Sequence, residues 1–205
     1  MSEAALRVAQ LPLGGYRTNC YLAALEGSSQ AVVVDPGEEP HRVLAALQSE
    51  GWQAVAILIT HTHLDHIGAV HDVAVATGAE VWMPRAEADV LRAFPGGEHE
   101  PDHLVDGGDT VSVAGVDFGT IAVPGHSPAS IAYHAHGFVF SGDVLFSGSV
   151  GRTDLGGGSH QRLLESIAAM YQVLPPETVV LSGHGPITTL EAELATNPFL
   201  AELRP

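Results

Sequence analysis

The pattern of hydrophobic and polar positions divides the chain into short strands at the start and alternating strands and helices afterwards. Turn residues separate the first three apolar runs, which predicts an antiparallel meander with strands over residues 7–13, 19–25 and 31–34. Val43, Leu44 and Leu47 then recur at the helical period, and Gly51 ends this predicted helix. The apolar run over residues 54–59 predicts a buried strand.

Strands and helices alternate over the rest of the chain. The predicted helices cover residues 67–76, 85–94 and 159–171, with a last one after Thr188-Thr189. The predicted strands cover residues 80–83, 110–113, 116–123, 131–134, 138–141 and 178–181. Residues 95–109 and the glycine-rich stretch 148–158 are predicted loops. Because this alternation occurs in two halves, we expect an α/β (α+β) fold in which two sheets pack between outer helices.

Three imidazoles and a carboxylate follow the buried strand within six residues, at His61, His63, Asp65 and His66. Side chains two apart on extended backbone point the same way, so His61 and His63 can bind one metal ion. Asp65 and His66 cannot share that direction with both earlier rings and would serve a neighbouring position. The alternative is a polar turn whose histidines cap a helix, but three histidines and an aspartate in this place favour two adjacent metal sites.

Two hydrolytic metal sites need about seven or eight protein ligands with room left for water. Three further ligand-type side chains, His126, Asp143 and His184, each follow a short apolar run and a turn residue. Strands deliver groups to a common sheet edge in this way. The sequence therefore contains enough ligands for two ions.

These seven residues resemble the signature of the metallo-β-lactamase superfamily, which is H-x-H-x-D-H followed by a distant His, a bridging Asp and a last His. Within the superfamily, the chain is similar to the small glyoxalase II-like (hydroxyacylglutathione hydrolase-like) enzymes. The resemblance implies a four-layer αββα sandwich and two divalent metal ions, with zinc expected and iron or manganese as alternatives. It assigns His61, His63 and His126 to the first ion, Asp65, His66 and His184 to the second, and Asp143 to a bridge between them.

The resemblance also implies hydrolysis of a thioester of the S-lactoylglutathione type by a hydroxide that bridges the two ions. Asp65 would bind one ion, orient the nucleophile and take part in proton transfer. Arg152 matches a basic residue that contacts glutathione in the family, whereas Asp154 replaces a neighbouring aromatic; the alternative for Arg152 is an ion pair with Asp154. We expect a single domain over residues 1–205, without the C-terminal helical domain of larger glyoxalase II enzymes. Two other functions stay open: a mononuclear iron persulfide dioxygenase and a non-catalytic metal-binding module.

Acidic side chains outnumber basic ones by 24 to 8, which gives a formal net charge of −16 at pH 7. This charge repels phosphate backbones and anionic membranes, so we expect no nucleic acid and no membrane as partner. The partner that the resemblance implies is a small-molecule thioester. No run approaches the roughly 18 apolar residues of a membrane span. The first seven residues also lack a basic n-region and an apolar h-region, such as an exported β-lactamase would carry. We therefore expect a cytoplasmic protein, while the oligomeric state stays open.

We interpret the remaining polar residues as structural. Cys20 is predicted to be a small buried strand residue, and Asp35 either closes an ordinary turn or packs beneath the metal loop. The other histidines are predicted to lie on the surface, at sheet edges, in turns or on solvated helix faces. They are His99 and His103 on the surface, His134 and His136 at an edge or turn, and His41, His71 and His160 on helices.

Overall fold

The computed structural model describes residues 4–93 and 99–204. Its first sheet contains six strands in sequential order: β1 Leu6–Leu13, β2 Thr18–Leu25, β3 Gln30–Val34, β4 Gln53–Leu58, β5 Glu80–Pro84 and β6 His103–Val105. The first three strands pair antiparallel, and the pairs β3 to β4, β4 to β5 and β5 to β6 are parallel. The predicted meander and the buried strand after it therefore form one mixed sheet.

The second sheet also contains six strands, in the order β14-β13-β10-β9-β8-β7. Their bounds are β7 Thr110–Val113, β8 Val116–Ala122, β9 Ile131–Ala135, β10 Phe138–Gly142, β13 Val179–Ser182 and β14 Thr188–Thr189. A separate small hairpin, β11 Leu145–Phe146 with β12 Ser149–Val150, occupies the start of the predicted glycine-rich loop. Strand β10 pairs parallel to β13, so both strands end at the same edge of the sheet.

Six α-helices and two 3₁₀ helices complete the fold over the described residues. The α-helices are α1 Pro40–Glu50, α2 Leu64–Ile67, α3 Val70–Thr77, α4 Ala88–Arg92, α5 His160–Val173 and α6 Leu190–Thr196, and the 3₁₀ helices are Arg85–Glu87 and Pro198–Leu203. One apolar layer lies between the sheets, and one lies between each sheet and its outer helices. This is the predicted αββα sandwich. None of the helices in these residues is long and apolar enough to cross a membrane.

The predicted helix over residues 67–76 corresponds to α3, which begins at Val70 and ends at Thr77, whereas the separate helix α2, Leu64–Ile67, lies in the predicted metal loop; the break between them is at Gly68-Ala69. The amide of Ala69 donates to the Pro36 carbonyl at 3.0 Å, and a Cβ at Gly68 would lie 2.4 Å from the Gly37 carbonyl oxygen. The loop after β3 therefore packs directly against the break. This contact separates α2, which carries Asp65 and His66, from α3.

Other corrections have the same origin in tertiary contacts. The predicted loop over residues 95–109 contains β6, because the Asp102 side chain accepts the Val81 amide at 2.8 Å and aligns this segment with β5. His134 lies on an interior strand, since β9 is flanked by β8 and β10, whereas His136 occupies the predicted turn. Residues 94–98 lie outside the described residues, as do residues 1–3. They include the last residue of the predicted helix over residues 85–94 and the first part of the predicted loop over residues 95–109.

Candidate metal centre

The seven predicted ligands lie together where strands of both sheets end. His61 and His63 belong to the loop after β4, and Asp65 and His66 to the first turn of α2. The remaining three follow the second sheet: His126 comes after β8, Asp143 directly after β10 and His184 after β13. Because α2 starts immediately after the extended loop, backbone direction changes between the first pair of ligands and the second.

The first cluster consists of His61, His63 and His126. His63 Nδ1 lies 3.1 Å from His61 Nε2 and 2.8 Å from His126 Nε2. The second cluster consists of Asp65, His66 and His184, with His184 Nε2 3.3 Å from Asp65 Oδ2. Within each cluster all three ligand atoms lie within 4.8 Å of one another. Each cluster can therefore present three donors to one ion.

Asp143 lies between the two clusters. Its Oδ1 is 3.3 Å from His66 Nε2, and its Oδ2 is 3.5 Å from His126 Nε2 and 3.4 Å from His184 Nε2. His66 Nε2 and Asp143 Oδ1 are buried and have no hydrogen-bond partner among the described residues. Buried polar atoms are almost always paired, so these two fit a cation that would complete their coordination. The donor set of imidazoles and carboxylates suits zinc, iron or manganese.

Hydrogen bonds behind the ligands orient the rings. Asp35 is buried and accepts from the Thr60 amide and hydroxyl at 2.8 and 2.7 Å and from His66 Nδ1 at 2.9 Å. His61 Nδ1 lies 3.0 Å from the Thr60 hydroxyl, and His126 Nδ1 donates to the Arg152 carbonyl at 2.7 Å. With Nδ1 protonated, each of these three rings keeps its Nε2 lone pair toward the centre. Asp35 thus packs beneath the metal loop.

The electrostatics of the centre favour cation binding. Burial lowers the pKa of both His61 and His63, which keeps these imidazoles neutral and able to donate a lone pair. The hydrogen bonds that His184 donates to Asp143 and Asp65 raise its pKa to about 9. Burial opposes ionisation of Asp65, but His184, His66 and Thr18 together lower its pKa to about 2. The carboxylates therefore remain charged and attract positive charge to the second cluster.

The buried carboxylate of Glu87 joins the two loops that carry the first cluster. Its Oε2 accepts from the Thr62 amide and hydroxyl, both at 2.8 Å, and Thr62 lies between His61 and His63. Its Oε1 accepts from the Ser127 hydroxyl and, at 3.2 Å, from the Ala129 amide. Sequence reasoning missed this residue because nothing in the local pattern around Pro84 distinguishes it from an exposed helix-start glutamate.

Two residues of β2 hold the loop that carries His184. The side-chain amide of Asn19 donates to the carbonyls of Ser182 and Gly185 at 2.9 and 3.0 Å. The Tyr21 hydroxyl donates to the Ser182 carbonyl at 2.7 Å. These bonds cross from the first sheet to the second. The sequence contains the two side chains but does not indicate which distant loop they contact.

A cavity of about 340 Å³ opens over the metal centre. Besides the ligands, it is lined by Tyr16, Leu64, Arg152 and Leu155. Arg152, the predicted substrate-binding residue, forms two hydrogen bonds with Asp154, at 2.7 and 2.8 Å, and both side chains are exposed. The predicted ion pair is thus present, and Arg152 also borders the cavity.

Cys20 and the remaining histidines are not part of the centre. Cys20 is fully buried, as predicted, and burial raises the pKa of its thiol. His103 stacks on Trp82 with ring centroids 3.7 Å apart and lies 3.1 Å from Glu80. His41 and His160 are exposed helix residues, whereas His71 is partly buried, with its Nδ1 lacking a partner in the described part of the chain.

Comparison with known proteins identifies relatives of the whole chain. The family model described as the metallo-beta-lactamase superfamily matches residues 13–184. The hydroxyacylglutathione hydrolase GloC of Haemophilus influenzae is 30% identical over 204 residues, with 93% of this chain and 96% of the relative covered. The alignment therefore extends well beyond the metal motif.

Three solved structures show the same fold at 31% identity or more. BLEG-1, described as a B3 metallo-beta-lactamase, is 37% identical with a TM-score of 0.88 and covers 95% of this chain and 100% of its own. TTHA1623 in a di-iron-bound form is 37% identical with a TM-score of 0.81, covering 94% and 100%. ETHE1 from Myxococcus xanthus is 31% identical with a TM-score of 0.82, covering 96% and 85%.

Proposed function

This chain belongs to the metallo-β-lactamase superfamily, and we propose that it is a metal-dependent hydrolase that cleaves a thioester of the S-lactoylglutathione type. The observation that carries the proposal is the pair of three-donor clusters that Asp143 joins. One divalent ion would be held by His61, His63 and His126, and the other by Asp65, His66 and His184. Asp143 would bind both ions. When bound, such ions supply Lewis acidity and lower the pKa of a water from 15.7 to about 7.

We propose zinc as the metal, because a donor set of imidazoles with a few carboxylates suits it. The di-iron form of TTHA1623 makes iron the first alternative to test. Proteins of this fold bind divalent metals, and metal analysis of the purified protein identifies the ion that this chain prefers. In this proposal residues 1–205 act as one catalytic domain.

Asp65 is the residue we assign to the nucleophilic water. Its carboxylate is partly exposed to the cavity and accepts from the Thr18 hydroxyl at 2.7 Å. Since its pKa is about 2, it stays ionised at neutral pH. It would therefore act mainly by accepting a hydrogen bond that orients the water, and the proton that the water gives up would pass through this carboxylate to the departing thiolate.

A thioester fits this site because its leaving group can depart with little help from the protein. A thiol has a pKa near 8.5, so the thiolate departs without a strong general acid. Arg152 borders the cavity and can exchange Asp154 for a carboxylate of the thiol carrier, because water screens an ion pair between two exposed side chains and leaves it weak. The name of the Haemophilus relative, hydroxyacylglutathione hydrolase, supports this substrate class.

The test is turnover of S-lactoylglutathione by purified protein whose metal content has been measured. We expect loss of thioester absorbance without oxygen uptake, and no turnover by folded His63→Ala or Asp143→Ala variants. A Val173→Ser variant, which changes an exposed residue of α5, is the matched control and should retain full activity. Wild-type turnover in either ligand variant would refute the two-ion mechanism.

Two further substrates in the same assay separate the alternatives. Oxygen uptake with glutathione persulfide and one iron per chain would replace the proposal with the persulfide dioxygenase. Hydrolysis of a chromogenic cephalosporin in place of the thioester would make the chain a β-lactam hydrolase, the activity that the name of BLEG-1 suggests. Metal binding without turnover of any of the three substrates would favour the non-catalytic module.

A further inference from the structure

We propose that the acyl part of the substrate is an uncharged, apolar chain that lies between Tyr16 and Leu64. This inference rests on the proposed thioester hydrolysis and specifies which thioester the site prefers. A second groove, of about 390 Å³, shares Tyr16, Leu64 and Asp65 with the metal cavity. A substrate whose carbonyl lies over the centre can therefore extend one of its ends into this groove.

The entrance to the groove is apolar and exposed. Tyr16 is 77% exposed at the turn between β1 and β2, and Leu64 is 61% exposed at the start of α2. Large apolar side chains with this exposure lose contact with water when an apolar ligand covers them, which favours binding. Both residues border the same opening, so one chain can cover both.

The far part of the groove is acidic. Glu38 and Glu39 line it, and Glu39 accepts the Gly14 amide at 2.8 Å and pairs with Arg42 at 2.7 Å. Among the residues that the structure describes, no cation lies within ion-pair distance of Glu38. Together with the net charge of −16, this disfavours an acyl group that ends in a carboxylate.

The thiol carrier can lie in the part of the cavity that the groove does not share. Arg152 and Leu155 line the cavity but not the groove, and the Arg152 carbonyl accepts the His126 hydrogen bond. A carrier carboxylate can replace Asp154 on Arg152, whereas no such exchange is available beside Glu38. The charges therefore orient the substrate, with the carrier toward Arg152 and the acyl chain toward the groove.

The experiment compares acyl thioesters of one neutral thiol, N-acetylcysteamine, so that only the acyl group changes. We expect kcat/KM to rise about twofold per methylene from acetyl through butyryl to hexanoyl, half the free energy of a fully buried methylene. The succinyl thioester matches butyryl in length but is anionic. It should be about tenfold slower than butyryl, because its carboxylate would be repelled by the carboxylates of Glu38 and Glu39 that line the groove.

Variants assign the preference to the groove. Tyr16→Ala and Leu64→Ser should each lower the hexanoyl-to-acetyl ratio at least twofold, and Glu38→Gln should raise succinyl turnover relative to butyryl. Val75→Ser and Val173→Ser change residues of similar exposure on other faces and should leave both ratios unchanged. A flat acyl series, or ratios that the groove variants do not alter, would overturn this inference while thioester hydrolysis stands. No hydrolysis of any thioester would overturn the proposed function as well.

Discussion

Removing the Glu87 carboxylate should weaken metal binding at the first cluster and spare the second. Glu87 contacts Thr62 and Ser127, which lie beside His61, His63 and His126, and it contacts no ligand of the second cluster. Glu87→Ala deletes the acceptor for four donors on these two loops. The three histidines could still bind a metal ion, but their two loops would lose the Glu87 hydrogen bonds that hold them at a fixed distance.

The structure gives the size of the effect. The Ser127 hydroxyl can turn to another partner, since Ser127 Oγ lies 2.6 Å from Ser130 Oγ. The amides of Thr62 and Ala129 cannot turn, and a buried N–H left unpaired costs about 1–3 kcal/mol. Only the Thr62 amide is fully buried, because the Ala129 hydrogen bond is partly open to water, so the loss of unfolding free energy is about 1–3 kcal/mol, against about 5–15 for a typical domain. Partners behind metal ligands affect affinity about 10–100-fold, the decrease we expect for the first-cluster ion.

The assay is titration of metal-free protein with zinc in competition with a chelator, which yields an affinity for each of two binding steps. His63→Ala and His184→Ala serve as references that identify the step belonging to each cluster. Glu87→Gln, which can still accept from Thr62, should lie between wild type and Glu87→Ala and provides a milder variant. Thermal unfolding of the metal-free proteins is measured in parallel.

Glu193 provides the matched control. It is a buried carboxylate on α6 that accepts from the Gly148 amide, the Thr188 hydroxyl and the Asn197 amide, away from the metal centre. Glu193→Ala should lower stability without changing either zinc affinity. If Glu87→Ala binds both ions as tightly as Glu193→Ala does, Glu87 only stabilises the fold and the reasoning is wrong.

Three further predictions concern the centre and its surroundings. Gly183→Ala should abolish zinc binding at the second cluster in the same titration, because its Cβ would lie 2.1 Å from Asp143 Oδ1. The control Gly15→Ala places its Cβ where no atom lies nearby and should bind both zinc ions normally. Arg152→Ala should raise KM for S-lactoylglutathione more than it lowers kcat, and an unchanged KM would leave Arg152 a structural role. Because burial raises the pKa of Cys20, its thiol should stay protonated and unreactive toward a thiol reagent at pH 8 until denaturant is added; rapid labelling of native protein would contradict its burial.

The sequence by itself determined the local features of the site and most elements of the fold. His61, His63, Asp65 and His66 are four ligands within six residues, although the sequence pattern placed the start of the helix at residue 67 rather than at Leu64. The strands and helices flanking the centre follow from apolar periodicity, which depends on neighbours along the chain. Missed elements such as β6, β11, β12 and β14 are two or three residues long, too short to produce a period.

Only the tertiary structure decided which distant residues support the ligands. Glu87 reaches Ser127 across 40 positions, and Tyr21 reaches Ser182 across 161. Tyr16 borders the cavity because the β1–β2 turn meets α2 there. A glutamate, an asparagine or a tyrosine on a short element has the same local pattern whether it faces solvent or a metal loop. Its role is set by the packing of two sheets, which brings together groups that periodicity along one strand or helix cannot relate.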